Sequence, residues 1–316
     1  MASIVQTFVH RAACGKPKWT LGSSILFAAL SFMCAPAYAL NDEPITVTYV
    51  DASDLKRNPN NVYFGALLKL ALDKSVSRYG QYALNPIDVE ISQKRQLREL
   101  DNGTISVFWT MTSYAREVDM LPVRVPLTKG MYGIRLFAIN SADKDAFAAL
   151  TTPKMLATWS ALLGRDWPDT AIMRVNRFNV RSDVAETELY SVLDKYRGNY
   201  FPRAVTEIFS ELDSRPELKV IADEHIGLVY PAAVYFFVAK TNPQLAERLQ
   251  FGLEQAQQDG SFDELFYEFP THKAAFKRAQ FAKRKLIYIE NPLLPQSTNA
   301  HAIKQMQQAV IDKFSH

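Results

Sequence analysis

Polar and apolar positions alternate in some segments of the chain and recur at helical spacing in others. Residues 45–50 alternate and are rich in β-branched side chains, which predicts a strand. Apolar residues at helical spacing predict a helix over 61–78, and a shorter helix is predicted over 93–100. Strands are predicted over 82–91 and 105–109. This order predicts a parallel sheet with right-handed crossovers, whose ligands bind beyond the carboxyl ends of the strands.

The rest of the chain continues the mixture of strands and helices. Strands are predicted over 132–139, 171–175, 178–180 and 233–238, and helices over 186–193, 202–212, 243–258 and 300–314. Residues 147–163 are expected to be only partly helical, because Pro153 interrupts them. The pattern as a whole therefore predicts an α/β protein.

The N-terminus has the three parts of a secretion signal. Arg11, Lys16 and Lys18 form a basic region, an apolar run covers 21–34, and Ala37-Tyr38-Ala39 offers a small-x-small cleavage site. We expect residues 1–39 to be a cleaved signal peptide and the protein to be periplasmic. An uncleaved membrane anchor is the alternative, although the apolar run is short and interrupted for a membrane span.

Charge and cysteine content narrow the function classes. The chain has 36 Lys and Arg against 33 Asp and Glu, and the three signal cations account for the excess. No basic stripe remains, so a nucleic-acid partner is not expected. Both cysteines, Cys14 and Cys34, lie in the predicted signal, which excludes a disulfide or thiolate site downstream. The remaining length suggests two lobes.

Catalytic and metal-binding motifs are absent from the sequence. It has no Gly-x-Ser-x-Gly, no His-Glu-x-x-His and no phosphate-binding glycine loop. The histidines after the signal, His225, His272, His301 and His316, lack the spacing of metal ligands. We therefore expect a protein that is not an enzyme and that needs no metal or other cofactor.

Three short segments carry a family resemblance. Residues 100–107 end a helix in Asp101-Asn102-Gly103 and start a strand, and Thr112-Ser113-Tyr114-Ala115-Arg116 follows. Residues 234–245 run from a strand into Lys240-Thr241-Asn242-Pro243, and the next helix ends in Asp259-Gly260-Ser261. The order and spacing of these segments, across 45–269, resemble a diverged member of the bacterial extracellular solute-binding protein family 3, the amino-acid type.

The resemblance implies the type II periplasmic binding protein fold, in which two crossing strands join two lobes around a ligand cleft. Lobe one would be 42–130 plus 234–291, lobe two the inserted 131–233, and 292–316 a C-terminal tail helix. The implied function is capture of a small polar, carboxylate-bearing molecule, an amino acid or organic acid, by a monomer that serves an ABC permease. A ligand-sensing or protein-interaction module that signals to a separate membrane partner, and a homologue that has lost binding, are the alternatives.

In lobe one the resemblance implies that Arg116 grips the ligand carboxylate, since a guanidinium offers a fixed fork of donors. Thr110, Thr112 and Ser113 would add further donors. An ion pair of Arg116 with Glu117 or Asp119 is the alternative. Trp109 is expected to form an aromatic wall of the cleft or to belong to the core, and Tyr63 is the aromatic residue expected to cover the ligand.

In lobe two the turn over 164–169 could hold an anion, with Asp166 as its candidate site residue, or Asp166 could simply form the turn. The family places an acidic residue after the glycine of the segment 197–203, but this chain has Asn199 and then Arg203. That departure argues against an ordinary α-amino acid. Arg116 and Arg203 facing each other would suit a ligand with two anionic groups, unless Arg203 pairs with Glu207 one helical turn on.

Overall fold

The structure is a computed structural model, which describes residues 43–51, 60–89 and 91–315. The predicted signal peptide, residues 1–39, lies outside the described residues. The strands are β1 (Ile45–Val50), β2 (Tyr82–Ile87), β3 (Phe108–Met111), β4 (Leu121–Val123), β5 (Ile134–Asn140), β6 (Ser160–Leu162), β7 (Asn179–Arg181), β8 (Asn199–Ala204), β9 (Val220–Ala222), β10 (Ile226–Val229), β11 (Val234–Val238) and β12 (Lys285–Tyr288). The α-helices are α1 (Asn60–Tyr79), α2 (Gln93–Asp101), α3 (Tyr114–Asp119), α4 (Lys144–Ala148), α5 (Pro153–Leu156), α6 (Pro168–Val175), α7 (Leu189–Lys195), α8 (Val205–Asp213), α9 (Pro243–Gln258), α10 (Ser261–Glu268), α11 (Pro270–Ala279) and α12 (Ala300–Lys313).

The strands form two groups, which we call lobe one and lobe two. Lobe one contains the parallel pair β1–β2 and a sheet in which β11 lies between β3 and β4, antiparallel to both. Lobe two contains a seven-stranded sheet in the order β12-β10-β5-β8-β6-β7, with β9 beside β5. The predicted parallel arrangement is thus found between β1 and β2, and the segment before β3 contacts β1, since Ser106 N donates to Thr48 O at 2.7 Å.

Two segments cross between the lobes, 124–133 after β4 and 230–233 after β10. They are bonded to each other, because Tyr230 N donates to Gly133 O at 2.9 Å. A Cβ atom on Gly133 would lie 1.9 Å from Tyr230 O, so only glycine allows this approach. The two crossing segments are therefore closely packed, although neither is a strand where they are bonded to each other, and the α/β two-lobe architecture is confirmed.

Two predicted elements differ in the structure. Residues 171–175, predicted as a strand, belong to helix α6, which begins with Pro168 at its first position. Proline suits this position because its missing N–H would have no helical partner there. Ile172 and Met173 are buried, and Val175 is exposed, so one face of a helix accounts for the apolar pattern. The helix predicted over 202–212 begins only at Val205, since the preceding residues complete β8.

The C-terminal part of the chain contributes to both lobes. Residues 285–288, within the range predicted for lobe one, form β12 and pair with β10 in the large sheet. Helix α11 packs against α8 of lobe two, where Arg278 bonds Asp213 at 2.6 Å. The predicted tail helix is present as α12, and Asn299 caps it by accepting from Ala302 N at 3.0 Å. The lobes are consequently joined at more places than the two crossing segments.

Candidate functional site

A cavity of about 900 Å³ lies between the two lobes. From lobe one it is lined by residues of α1, α2 and β3, and from lobe two by residues of β5, α6, β8 and α8: Phe64, Gln93, Trp109, Thr110, Arg135, Asp169, Arg203, Glu207 and Glu211 among others. A second cavity of about 320 Å³ is lined by Ser113, Arg116, Arg165 and Asp166, and it shares Trp167 and Pro168 with the first. We call them the main and the smaller cavity.

Arg116 is a buried cation, 7% exposed, on the short helix α3. Its guanidinium donates to Met111 O at 2.7 Å, to Gln93 Oε1 at 2.8 Å and to the hydroxyl of Thr110. No ion-pair partner is found for it among the described residues, so the alternative pairing with Glu117 does not form; Glu117 pairs instead with Arg124 at 2.6 Å. Burial lowers the pKa of Arg116 to about 10. A bound anion would compensate this charge.

Gln93, at the start of α2, links Arg116 to the main cavity. Its Oε1 accepts from Arg116 and from Thr110 Oγ1, the latter at 3.2 Å. Gln93 and Thr110 line the main cavity, whereas Arg116 lines the smaller one. The carboxamide can therefore extend the positive character of Arg116 toward the main cavity as a neutral donor. Gln93 belongs to no sequence motif. The only sequence feature that singles it out is its place at the first position of a predicted helix.

Thr112 and Ser113 do not reach the main cavity. Thr112 is fully buried, and its hydroxyl donates to Glu117 Oε1 at 2.6 Å. Ser113 caps helix α3 by accepting from Arg116 N at 3.4 Å, and it lines the smaller cavity. The structure thus gives Thr112 a structural partner and leaves Ser113 beside Arg116.

Trp109 and Phe64 form an aromatic wall of the main cavity. Their rings stack with centroids 5.5 Å apart and planes 19° apart, and Trp109 Nε1 donates to Asn61 Oδ1 at 3.1 Å. Tyr63 lies outside both cavities: it is fully buried, its hydroxyl donates to Leu127 O at 2.6 Å, and its ring centroid is 4.2 Å from that of His272. Adjacent helical residues point in different directions, so α1 directs Phe64, not Tyr63, into the cavity.

The guanidinium of Arg203, on β8, forms ion pairs with two carboxylates of α8. Its Nε and Nη2 donate to the two oxygens of Glu211 at 2.8 and 2.5 Å, and Nη2 lies 3.1 Å from Glu207. The predicted alternative, pairing with Glu207, is confirmed, and Glu211 is an additional partner. Because the fork is already occupied, Arg203 does not offer a second bidentate site to an anion. This pairing argues against the predicted site in which Arg116 and Arg203 together bind a ligand with two anionic groups.

Arg135 is a second buried cation in lobe two. Its Nη2 lies 2.5 Å from Asp169 Oδ1, its Nη1 3.5 Å from Glu207, and its Nε donates to Tyr230 Oη at 2.9 Å. Tyr230 in turn donates to Asp169. The sequence signal for Arg135 is a single charged residue inside an otherwise apolar strand.

Carboxylates exceed guanidinium groups in this buried network of Asp169, Glu207, Glu211, Arg135 and Arg203. Burial raises the pKa of Glu207, against the opposing effect of Arg203. With Glu186 and Arg215, which also line it, the lobe-two wall of the main cavity holds four carboxyl and three guanidinium groups, so it does not present a net positive charge to a second anion.

Asp166 is exposed and lines the smaller cavity together with Arg116. The charges of Asp169 and Asp166 oppose the fall in the pKa of Arg116 that burial causes. The structure brings Asp166, Ser113 and Arg116 to one cavity and Thr110, Trp109 and Arg203 to the other. Within the described residues, no group of three or more His, Cys, Asp or Glu side chains could hold a metal ion.

No family model and no curated protein matches this sequence. Solved structures do match its fold. A periplasmic His/Glu/Gln/Arg/opine family-binding protein from Silicibacter pomeroyi, in complex with lysine, has a TM-score of 0.54 at 6% identity, over 71% of this chain and 95% of that one. A probable amino-acid ABC transporter extracellular-binding protein from Bacillus subtilis has a TM-score of 0.50 at 13% identity, over 73% and 99%.

A third similar structure is an ancestral amino acid-binding protein described as a precursor of cyclohexadienyl dehydratase. It has a TM-score of 0.50 at 13% identity, over 72% of this chain and 93% of that one. At such identities the likeness shows the fold: this chain has the two-lobe α/β architecture of amino-acid-type periplasmic binding proteins. In the part of the chain that the structure describes, no helix is both long and apolar enough to cross a membrane.

Proposed function

We propose that this protein is a periplasmic solute-binding protein that captures a small polar molecule bearing a carboxylate. The observation that carries the proposal is Arg116, a buried guanidinium between the lobes with no ion-pair partner among the described residues. A buried charge without a direct ion-pair partner is costly, and a ligand carboxylate in a bidentate pair would offset that cost. The proposed role is binding without catalysis.

The two cavities suggest how such a ligand lies. Its carboxylate would be held in the smaller cavity by Arg116, with Ser113 beside it, while Gln93 supports it from the main cavity. The rest of the molecule would lie on the stacked rings of Phe64 and Trp109. A volume of about 900 Å³ falls within the range of small-molecule sites. Because the lobe-two wall presents no net positive charge, an amino acid or a monoanionic organic acid is a better fit than a dianion.

Location and partners follow from the same proposal. The predicted signal peptide places the protein in the periplasm, where it would act as a monomer and deliver its ligand to an ABC permease. Lobes that close on a ligand by hinge motion suit this role, because the closed and open forms differ in the surface they present. The same closure could instead signal to a membrane sensor.

A second candidate is a protein whose cleft no longer binds a free ligand. The observation that favours it is that Arg116 already donates to Thr110, Met111 O and Gln93. These are neutral acceptors, so they satisfy hydrogen bonds without neutralising the charge. Asp169 and Asp166 act on this charge without forming an ion pair with it, and the missing ion pair is the reason that we place this candidate second.

Thermal denaturation of the protein against a panel of amino acids and organic acids separates the two candidates. A ligand that binds only the folded state raises the Tm by mass action. We expect carboxylate-bearing compounds to raise the Tm and their neutral amides to leave it unchanged. A Tm that no compound moves would contradict the binding function and support the second candidate. Variants Arg116→Ala and, as a control at an exposed site outside both cavities, Arg278→Ala show whether the shift depends on the cleft.

A further inference from the structure

The C-terminal helix α12 lies across the two segments that join the lobes. Its residue Gln307 is 2% exposed, and one nitrogen, Nε2, donates to Gly130 O at 2.8 Å and to Tyr230 O at 2.9 Å. Gly130 belongs to the first crossing segment and Tyr230 to the second. From this contact we propose that α12 restrains the hinge between the lobes, with Gln307 as the residue that holds the two crossing segments at a fixed separation.

Two glycines provide the space that this side chain occupies. Gly130 has a φ of +78°, and a Cβ atom there would lie 2.7 Å from Gln307 Cγ. A Cβ atom on Gly133 would lie 2.6 Å from Gln307 Nε2. Larger residues at either position would displace the carboxamide. The glycines of the first crossing segment therefore leave a fitted, buried space for the Gln307 side chain.

The rest of α12 is anchored on both sides of Gln307. Ile303 packs in a cluster with Tyr235 of lobe one, and Val310 and Ile311 are part of the largest apolar core, which contains residues of both lobes. Near the C-terminal end of the helix, Lys313 Nζ lies 3.7 Å from the ring centroid of Tyr267. Because the helix is fixed on both sides of Gln307, the carboxamide cannot follow a movement of the crossing segments without breaking a bond.

The segment that leads into α12 makes a second link. Ile289 N donates to Val229 O at 2.9 Å, and Asn291 Nδ2 donates to Pro231 O at 2.9 Å. The chain then reaches α3, where Tyr114 N donates to Leu293 O at 3.0 Å. The chain after β12 thus runs beside the second crossing segment. It then contacts α3 at Tyr114, two residues before Arg116.

Opening of the cleft requires changes of φ and ψ in the crossing segments. If those changes move Gly130 O and Tyr230 O apart, Gln307 loses one of its two bonds, and a buried polar group is left without a partner. The restraint therefore favours the separation seen in this structure and limits the population of more open forms. This inference concerns the hinge and stands whether or not the cleft binds a carboxylate.

Hydrogen exchange measured by mass spectrometry tests the restraint, with Gln307→Ala compared with Gln308→Ala. Gln308 is the next residue of the same helix and is exposed, so its variant controls for loss of a glutamine from α12. We expect exchange in 127–134 and 229–234 to rise about tenfold in Gln307→Ala, the effect of losing a buried hydrogen bond, and to stay unchanged in Gln308→Ala. Unchanged exchange in Gln307→Ala, or an equal rise in the distant segment 160–175, would overturn the proposal.

A milder variant covers the case in which Gln307→Ala does not fold. Gln307→Asn keeps the carboxamide but shortens the side chain, so one nitrogen can no longer reach both carbonyl oxygens. We expect the same local rise in exchange and, by small-angle scattering, a larger radius of gyration than for the wild type. Wild-type exchange in both crossing segments of Gln307→Asn would reject the role of Gln307.

Discussion

The side-chain oxygen of Gln93 lies 2.8 Å from Nη2 of Arg116 and accepts a hydrogen bond from it. This pair joins a cation that lines the smaller cavity to a carboxamide that lines the main cavity. A ligand carboxylate bound at Arg116 would meet both groups. We therefore expect this pair to set how strongly the charge of Arg116 acts on a ligand in the cleft. Either partner can be tested by substitution.

Replacing Arg116 by alanine should abolish most of the affinity for a carboxylate ligand. Loss of the cation would leave a desolvated carboxylate unpaired, at a cost of about 2–5 kcal/mol in binding. Calorimetry with the compound that gives the largest thermal shift measures the effect, and Arg278→Ala serves as the control because Arg278 pairs with Asp213 at an exposed site that lines neither cavity. Equal affinity of wild type and Arg116→Ala would exclude Arg116 from the site.

Gln93→Glu should weaken the binding of the same ligand by at least about tenfold, because a carboxylate at this position would pair with Arg116 and compete with the ligand. The unfolding midpoint should not fall, since the new ion pair compensates a buried charge. Gln96→Glu is a matched control: Gln96 lies on the same helix and lines the same cavity without contacting Arg116. Similar losses in both variants would mean that added negative charge in the cavity, not the pair with Arg116, is responsible.

Arg203→Ala should destabilise the fold by about 3–5 kcal/mol, the effect of removing one partner from a buried ion pair. Glu207 and Glu211 would then keep their charges in a buried site without their principal counterion. Urea unfolding compared with Arg278→Ala gives the contrast, because the exposed pair of Arg278 with Asp213 should contribute less than about 1 kcal/mol. A cost for Arg203→Ala as small as that of the exposed arginine would contradict the closed network.

Acid should destabilise the protein through His272. Burial lowers the pKa of His272 from 6.5 to about 4, so between these values the unfolded chain binds more protons than the folded one. The contribution of neutral His272 is complete above pH 6.5, decreases as the pH falls, and amounts to at most about 3 kcal/mol. Unfolding free energies measured from pH 4 to 7.5 should change less steeply in His272→Phe. The exposed-site variant His301→Phe should keep the wild-type slope, and a common slope in all three would contradict this assignment.

Tyr63→Phe should lower stability by about 1 kcal/mol through loss of the hydrogen bond to Leu127 O, and leave ligand affinity unchanged. Phe64→Leu should have the opposite profile, a loss of affinity that exceeds its effect on folding, because the ring of Phe64 forms part of the cavity wall. Paired measurements of unfolding and affinity on both variants test the assignment. Reduced affinity in Tyr63→Phe with Phe64→Leu unaffected would restore Tyr63 as the ligand contact.

The sequence predicts correctly those elements whose ends depend on residues close by in the chain. Helix α9 begins at Pro243 and ends at Gln258 as predicted, because Asn242 caps its first turn and its apolar residues keep helical spacing. The ion pair of Arg203 with Glu207 was also predicted from their four-residue spacing, although Arg203 lies on β8 and only Glu207 belongs to the helix. By contrast, the short apolar run 171–175 fits one face of a helix as well as a strand, and only packing decides between them.

The remaining site geometry depends on contacts between distant parts of the chain. Arg135, Asp169 and Tyr230 come from a strand, a helix and a crossing segment, and no spacing in the sequence connects them. Tyr63 and Phe64 are neighbours on one helix, so choosing which ring faces the cleft requires the positions of α10 and α11. The role of Gln93 arises from its distance to Arg116, which belongs to another helix.

The pairing of β12 with β10 has a consequence for the order in which the protein can form. Residues 285–288 complete one edge of the lobe-two sheet, yet nearly all of the other residues precede them in the chain. During synthesis or export from the N-terminus, β10 emerges with its edge unpaired, and it stays so until the last tenth of the polypeptide arrives. An unpaired strand edge is prone to association with other chains. Nascent copies that stop before residue 285 should therefore aggregate more than full-length copies, in which β12, with its exposed Lys285 and Tyr288, replaces the fully buried strand β10 at the edge of the sheet.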